Sequence, residues 1–208
     1  MSLRKILNLY AGIGGNRKLW TDVEVTAIEL NPQIAKIYQD FFPNDLVIVT
    51  DAHQYLLDHF KEFDFIWSSP PCPSHSRIRF ANQIQNKPIY PSMTLYEEIL
   101  FLKYYFEGKW CVENVIAFYK PLILPIELAK HWFWSNFFIS IIKGEGRGMG
   151  RDESIETLTK LKGFDLSKYI GIEKWRILRN CVEPNTGLHI LNESKRDIQP
   201  ELFNKESL

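Results

Sequence analysis

The chain has 208 residues, 45% of them hydrophobic and 14% aromatic, which is enough to bury one substantial core and excludes a disordered chain. Its 25 basic and 25 acidic side chains balance, so no global positive field attracts a polyanion, and any contact with nucleic acid has to come from a local patch. Three cysteines without CxxC spacing argue against a disulfide framework or a bound metal, and we expect a cytoplasmic protein because neither a signal peptide nor a membrane-spanning apolar stretch is recognisable.

Strands and helices alternate along the first half of the chain. Apolar, β-branched runs predict strands over residues 4–9, 23–28, 46–49 and 63–67. After the second strand, Asn31 is placed to cap a helix that carries Pro32 in its first turn. Apolar residues follow at helical spacing, at Ile34, Ile37, Tyr38 and Phe41.

The second half begins with a helix and continues with aromatic strands. Thr94 and Glu97 form a capping box for this helix. Its apolar face consists of Leu95, Ile99, Leu102 and Phe106. The elements predicted after it are a strand over 109–113, one or two strands within 132–142, short helices around 153–161 and 172–179, and a closing segment over 180–191. The glycine-rich stretch Gly144–Gly150 is predicted to be a flexible link.

The alternation of strands and helices predicts an α/β fold with a doubly wound, mostly parallel sheet. In such sheets, ligands bind beyond the carboxyl ends of the strands. A glycine-rich turn and four polar side chains follow strand ends in this sequence, namely Gly12–Gly15, Glu29, Asp51, Cys72 and Glu113. The sequence therefore predicts a ligand site at this edge of the sheet.

Each residue at this edge also has a structural interpretation. The glycines either allow the backbone to approach a ligand or make a tight strand-to-helix turn. Glu29 is placed to accept hydrogen bonds from ribose hydroxyls, or it is a solvated charge at the start of a helix. Asp51 either meets an adenine amino group or caps the following helix.

Cys72 follows Pro70 and Pro71 on a hydroxyl-rich loop, where a structural cysteine is unusual. The two prolines provide a rigid platform for a nucleophile. Glu113 at the end of the neighbouring strand either faces Cys72 as an acid or caps the next segment. His75 is either a partner of this chemistry or a solvated loop residue. The residues we expect in the core are Cys111, Cys181 and the aromatic residues of Trp132-Phe133-Trp134 and Phe137-Phe138, which are otherwise a platform for base stacking.

In their order along the chain, these motifs resemble those of the cytosine-C5 DNA methyltransferases. The motifs are Leu9–Gly15, Glu29, Asp51, Pro70-Pro71-Cys72, Glu113-Asn114-Val115 and Asn180-Cys181-Val182. The resemblance runs from about residue 4 to 142 and resumes at about 172. It implies the class I fold of S-adenosylmethionine-dependent methyltransferases and a DNA substrate.

The resemblance also implies covalent catalysis on a cytosine that has left the base stack. Cys72 would add to C6 of the base while Glu113 holds or protonates N3, so that C5 takes the methyl group of S-adenosyl-L-methionine. The residues implied to contact this cofactor are Tyr10, Gly12, Ile13, Gly14, Glu29, Leu30, Asp51, Pro70 and Asn180. Those implied to contact the substrate are Ser76, Arg77 and Asn114, with Arg79 and Lys87 extending the phosphate contact.

The chain departs from the family pattern at several positions. Asn8, Pro73 and Arg179 stand where the family usually carries aspartate, glutamine and glycine. The family's Arg-x-Arg element, which supports the cytosine carbonyl, is not legible near residues 129–135. Lys130 and His131 are the candidates to replace it, and the sequence assigns neither.

The largest departure is the short distance between the last two motifs. We predict a catalytic, cofactor-binding domain over 1–142, a short remnant in place of a target-recognition domain over 143–171, a segment over 172–191 that returns to the catalytic domain, and a tail over 192–208. About 30 residues are too few for an independent core. We therefore expect weak sequence specificity, a preference for single-stranded DNA, or a partner protein that supplies recognition.

Three other functions stay open at this stage. Ser69-Pro70-Pro71-Cys72 is close to the Ser-Pro-Pro-aromatic motif of exocyclic-amino methyltransferases, although that motif needs an aromatic ring where Cys72 stands. A non-catalytic subunit that binds S-adenosylmethionine or DNA is a second alternative. RNA is a third, and the sequence offers no element that reads a 2′-hydroxyl.

Overall fold

A computed structural model of the protein describes residues 3–81, 89–141 and 153–196. Within these residues, seven strands form one sheet in the order β3-β2-β1-β4-β5-β7-β6. The strands are β1 (Arg4–Leu9), β2 (Val23–Ile28), β3 (Leu46–Ile48), β4 (Phe65–Ser68), β5 (Lys109–Val115), β6 (Ile126–Leu128) and β7 (His131–Ser135). Strands β1 to β5 run parallel, whereas β7 is antiparallel to both β5 and β6. The predicted doubly wound, mostly parallel sheet is confirmed.

Seven α-helices accompany the sheet in the described part of the chain. They are α1 (Pro32–Phe41), α2 (Ala52–His59), α3 (Arg77–Ala81), α4 (Thr94–Tyr105), α5 (Ile155–Lys162), α6 (Lys174–Asn180) and α7 (Pro184–Ser194). Asn31 caps α1 as predicted, because its side chain accepts hydrogen bonds from the backbone N–H groups of Gln33 and Ile34. None of the described helices is long and apolar enough to cross a membrane.

The core lies on both faces of the sheet, because successive residues of a strand point to opposite sides. On one face, Leu7 and Leu9 of β1 pack with the buried side of α4. On the other face, Ile6 packs with Trp20 and with Ile190 of α7. Each such side chain stabilises the fold by roughly 1.5–3 kcal/mol. The strand ends that carry the candidate site are therefore held from both sides.

The predicted core residues are confirmed except for Phe138, which is 53% exposed because β7 ends at Ser135, before it. Cys111, Cys181 and the three aromatic residues of β7 are buried, and all three cysteines are free thiols. The predicted apolar face of α4 is also confirmed, since Leu95, Ile99, Leu102 and Phe106 are buried.

Several predicted strand boundaries are wrong. β4 begins two residues later than predicted, because Asp64 exchanges hydrogen bonds with Lys5 through its backbone N–H and its carboxylate before the strand begins. β5 continues for two residues beyond Glu113, because β7 pairs with it in antiparallel register. Glu113 and Asn114 thus lie inside the strand and not at its end. Only one strand falls within 132–142, and the sixth strand lies before that stretch.

The predicted capping box at the start of α4 is wrong. The helix begins at Thr94 itself, and Met93 is its N-cap without a side-chain hydrogen bond. The hydroxyl of Thr94 instead accepts a hydrogen bond from the hydroxyl of Ser92 at 3.2 Å.

The C-terminal part of the described chain is more ordered than predicted. α7 continues to Ser194, past residue 191, because Ile190 and Leu191 anchor it in the core and the side chain of Ser194 bonds to Arg4 at 2.9 Å. The predicted link over Gly144–Gly150, Lys87, the side chain of Arg79 and the tail from residue 197 onward lie outside the described residues.

Candidate active site

The loop after β1 contains three residues with left-handed backbone. They are Tyr10 (φ 54°), Gly12 (φ 56°) and Gly14 (φ 86°). A Cβ atom at Gly12 would meet no atom within 4 Å, whereas one at Gly14 would lie 2.9 Å from the ring of Tyr38. The side chain of Ile13 is buried, so only its backbone faces the loop. The loop therefore offers open space to a ligand at Gly12, and Gly14 serves packing.

Glu29, which directly follows β2, is tied to this loop. One carboxylate oxygen accepts a hydrogen bond from the N–H of Gly12 at 3.0 Å, and the other accepts one from the N–H of Asn31 at 2.9 Å. Each oxygen keeps a further lone pair for a ligand hydroxyl. Leu30, the next residue, is 66% exposed. Its side chain is thus free to cover a ligand held by Glu29.

A cavity of about 480 Å³ opens beside the loop. It brings together three of the predicted cofactor residues, Tyr10, Asp51 and Pro70. Asp51 also caps α2 by accepting a hydrogen bond from the N–H of Gln54 at 2.8 Å. Its second carboxylate oxygen remains available to accept a hydrogen bond from an adenine amino group, the other role predicted for Asp51. The volume is in the range of small-molecule sites.

The wall of this cavity depends on Glu98, a residue that sequence reasoning missed. Its carboxylate is fully buried and accepts hydrogen bonds from the hydroxyls of Tyr10 at 2.6 Å and Ser68 at 2.5 Å. The Nδ1 atom of His53, which lines the cavity, lies 3.1 Å from the same carboxylate. The hydrogen bond to Glu98 raises the pKa of His53. Burial, followed by the charge of Glu98, raises the pKa of Tyr10.

The Cys72 loop is anchored to β5. The side-chain amide of Asn114 is buried and donates a hydrogen bond to the carbonyl of Pro70 at 2.9 Å. The loop then turns, because the carbonyl of Cys72 accepts hydrogen bonds from the N–H groups of His75 and Ser76. The thiol is thus presented on a loop that is fixed at both ends.

Cys72 and Glu113 lie at the same edge of two neighbouring strands. The register between β4 and β5 pairs Ser68 with Val112, and Glu113 follows directly. Burial raises the pKa of the Cys72 thiol, and the negative charge of Glu113 raises it further. The guanidinium of Arg176 on α6 acts in the opposite direction. The thiol is therefore protonated at neutral pH in the free protein.

A second segment of chain closes against the Cys72 loop. Ser76 forms an isolated β-bridge with Ala117, and Arg77 donates from Nε to the carbonyl of Ala117 at 2.9 Å. His75 is buried, and its Nδ1 atom lies 2.5 Å from the hydroxyl of Tyr119. Its Nε2 atom has no hydrogen-bond partner among the described residues. Burial lowers the pKa of His75, so the ring is neutral.

The last predicted motif packs onto the glycine loop. Asn180 is exposed at the end of α6. The two residues after it approach Gly15 so closely that a Cβ atom there would lie 2.5 Å from the carbonyl oxygen of Val182 and 2.9 Å from Cβ of Cys181. Asn180 is thus brought next to the loop of Gly12, although it is far away in sequence. No cluster of side chains suited to a metal ion occurs among the described residues.

Comparisons with known proteins found one family-model match and a set of solved structures with partial similarity. Residues 4–102, just under half of the chain, match the family model described as C-5 cytosine-specific DNA methylase. No curated protein matches the sequence. Among solved structures, a mutant of DNMT2 from Spodoptera frugiperda is 27% identical with a TM-score of 0.38, and the match covers 54% of this chain and 35% of that one. A putative DNA modification methyltransferase encoded within a prophage (Escherichia coli) is 17% identical with a TM-score of 0.37, covering 56% of this chain and 33% of that one.

Proposed function

We infer that this chain, whose residues 4–102 match the family model described as C-5 cytosine-specific DNA methylase, transfers a methyl group from S-adenosyl-L-methionine to C5 of cytosine in DNA. The observation that carries the proposal is the position of Cys72 on the loop after β4 and of Glu113 within the neighbouring β5, where the charge of Glu113 acts on the thiol. A nucleophile and an acid so placed suit addition to a heterocycle.

The chemistry begins with Cys72. Its thiolate, having lost a proton to solvent, adds to C6 of a cytosine that has left the base stack, while Glu113 passes a proton to N3. The new S–C6 bond and the proton on N3 make C5 electron-rich. Bound S-adenosyl-L-methionine supplies the electrophilic methyl group that C5 takes. Loss of the C5 proton to solvent, return of the N3 proton to Glu113 and departure of the Cys72 thiolate then restore the aromatic ring.

The cofactor fits the residues around the glycine loop. The open space at Gly12 and the free lone pairs of Glu29 suit the methionine and ribose portions. The cavity lined by Tyr10, Asp51 and Pro70 suits the adenine. The contacting set we propose is Tyr10, Gly12, Ile13, Gly14, Glu29, Leu30, Asp51, Pro70 and Asn180, with Ile13 contributing its backbone.

The DNA contacts we propose lie on the Cys72 loop. Ser76 and the exposed Arg77 face a phosphate backbone, and Asn114 acts by holding the loop and not through a free amide. The residues between 143 and 171 leave little room for a recognition domain. We therefore propose weak sequence specificity, a preference for single-stranded DNA, or a partner protein that supplies recognition.

Trapping on DNA that contains 5-fluorocytosine tests the covalent step. The fluorine cannot leave as a proton does, so the chain is expected to stay bonded to the DNA in a band that resists denaturing gel electrophoresis. Cys72→Ala should abolish the band. Cys111→Ala is the matched control, because Cys111 is fully buried in β5 and should leave trapping intact once folding is verified by circular dichroism.

The position of the methyl group in the product separates the alternatives. Mass spectrometry of digested DNA should show 5-methylcytosine. A methyl group on an exocyclic nitrogen, transfer only to RNA, or binding of the cofactor without transfer to any cytosine substrate would each contradict the proposal. Comparing single-stranded with double-stranded DNA in the same assay tests specificity, and strong selection of a long duplex site by the chain alone would refute weak recognition.

A further inference from the structure

His131 stands in a strained turn beside Glu113. It is the first residue of β7, and the turn that joins it to β6 consists of Ala129 (φ 48°) and Lys130 (φ 64°). Two consecutive left-handed residues make a tight hairpin turn that usually contains glycine or asparagine. Here alanine and lysine adopt it, at a cost that the surrounding sheet has to offset. The turn fixes where the imidazole ring lies.

The hydrogen bonds of the ring determine its tautomer. Nδ1 of His131 lies 3.1 Å from the carbonyl oxygen of Ala129, and a carbonyl only accepts, so Nδ1 carries a hydrogen. Nε2 points toward Glu113, at 3.7 Å from Oε1. The side chains are 27% and 9% exposed, so water screens the pair only partly. Closing this gap to a hydrogen bond requires a movement of roughly 0.5–1 Å.

This tautomer determines how Nε2 of His131 can interact with the carboxylate of Glu113. If His131 were neutral and Glu113 ionised, the lone pair of Nε2 would face a carboxylate oxygen, and neither atom could donate. One proton on either atom converts this contact into an attraction. We infer that Glu113 and His131 share a proton, and that His131 is a positioning residue that supplies Glu113 with the proton it delivers to N3.

The inference deepens the proposed function and rests on it for its catalytic part. As Glu113 passes the shared proton to N3, that proton leaves Nε2 of His131, and His131 becomes neutral. Glu113 is then ionised and accepts a hydrogen bond from the new N3–H. The proton returns along the same route when the adduct collapses, so no water has to enter the site to carry it.

Other charged groups around the pair are few in the part of the chain that the structure describes. Lys130 lies in the same turn and is exposed, and Cys72 lies within the field of Glu113 on the side of the catalytic loop. Arg176 on α6 acts on Cys72, and Glu127 of β6 is exposed. None of these takes the place of Nε2 opposite Oε1.

NMR of ¹⁵N-labelled histidine tests the shared proton without any need for activity. In the wild-type protein, the ring of His131 should be an imidazolium or the Nδ1–H tautomer, and Glu113→Gln should change the ¹⁵N chemical shift of Nε2. A neutral Nε2–H tautomer, or the same Nε2 chemical shift in both proteins, would overturn the inference. This holds even if the protein transfers no methyl group.

The kinetic parameters of methyl transfer test the role in the reaction. His131→Gln should lower kcat roughly tenfold and leave the KM for DNA unchanged, because Glu113 then has to regain its proton from water.

Glu127→Gln provides the matched control, because it changes an exposed carboxylate on β6 of the same hairpin, and it should leave kcat and KM unchanged. An unchanged kcat in His131→Gln, or a loss that appears in KM alone, would show a purely structural role and overturn the inference. Absence of transfer by the wild-type protein on every cytosine substrate would instead refute the proposed function, while the tautomer measurement would still decide whether the proton is shared.

Discussion

Replacing Glu98 should lower the free energy of unfolding more than replacing an exposed carboxylate does. Glu98 accepts hydrogen bonds from the hydroxyls of Tyr10 and Ser68 and faces His53, all inside the wall of the cavity. Hydrogen bonds to a charged acceptor contribute about 1.5–3 kcal/mol each, partly offset by the cost of burying the carboxylate. Glu98→Ala, which leaves three polar groups unpaired, should therefore lower the free energy of unfolding by about 3–5 kcal/mol.

Glu98→Gln keeps the shape of the side chain, and its amide can still bond to both hydroxyls. It should cost only about 1–2 kcal/mol in urea denaturation. Glu98→Ala, by contrast, should also weaken binding of S-adenosylhomocysteine in calorimetry, because the ring of Tyr10 loses the hydrogen bond that fixes its position. Glu97→Gln is the matched control. The side chain of Glu97 is 65% exposed, and its Oε1 lies 3.8 Å from Nε2 of His53, which is too far for a hydrogen bond. Its replacement should therefore lower the free energy of unfolding by less than about 0.5 kcal/mol.

The pH dependence of stability provides a second measurement on the same residue. Glu98 raises the pKa of His53, so the folded protein holds this proton more tightly than the unfolded chain. The resulting stabilisation is complete below about pH 6.5, the value for an unfolded chain, and is lost as the pH rises through the folded pKa. This loss should be absent in Glu98→Gln. Equal stability of Glu98→Gln and Glu97→Gln at all pH values would refute the reasoning.

Two further predictions concern the glycine loop and the thiol. Gly15→Ala should lower the melting temperature more than Gly12→Ala, because the new methyl group would meet the Val182 carbonyl at 2.5 Å. At Gly12 only the left-handed backbone conformation costs energy, about 1–2 kcal/mol. Equal losses of melting temperature would contradict the close contact at Gly15. Alkylation of Cys72 by iodoacetamide at pH 8 should be several times faster in Glu113→Gln, because removing that charge lowers the pKa of the thiol. An unchanged rate would show that the two side chains do not interact.

The elements of the sheet were largely predictable because their signals are local. The cap at Asn31, the alternation of strands and helices and the apolar face of α4 each depend on a few neighbouring residues. The capping box at Thr94 failed because the helix already includes Thr94, with Met93 as its N-cap, and the Thr94 hydroxyl bonds to Ser92 instead. A local signal for Glu98 also existed, since it lies on the apolar face of α4, where a charge needs buried partners.

By itself, the sequence determined which chemical groups follow the strand ends, since hydrophobic period and turn residues act over a few positions and a parallel sheet gathers its strand ends at one edge. Only the tertiary structure decided which of these groups meet. The bond from Tyr10 to Glu98 spans 88 residues and that from Asn114 to Pro70 spans 44. The approach of His131 to Glu113 depends on the antiparallel pairing of β7 with β5. Such contacts follow from how whole elements pack, because burial and pairing free energies depend on partners that no local pattern specifies.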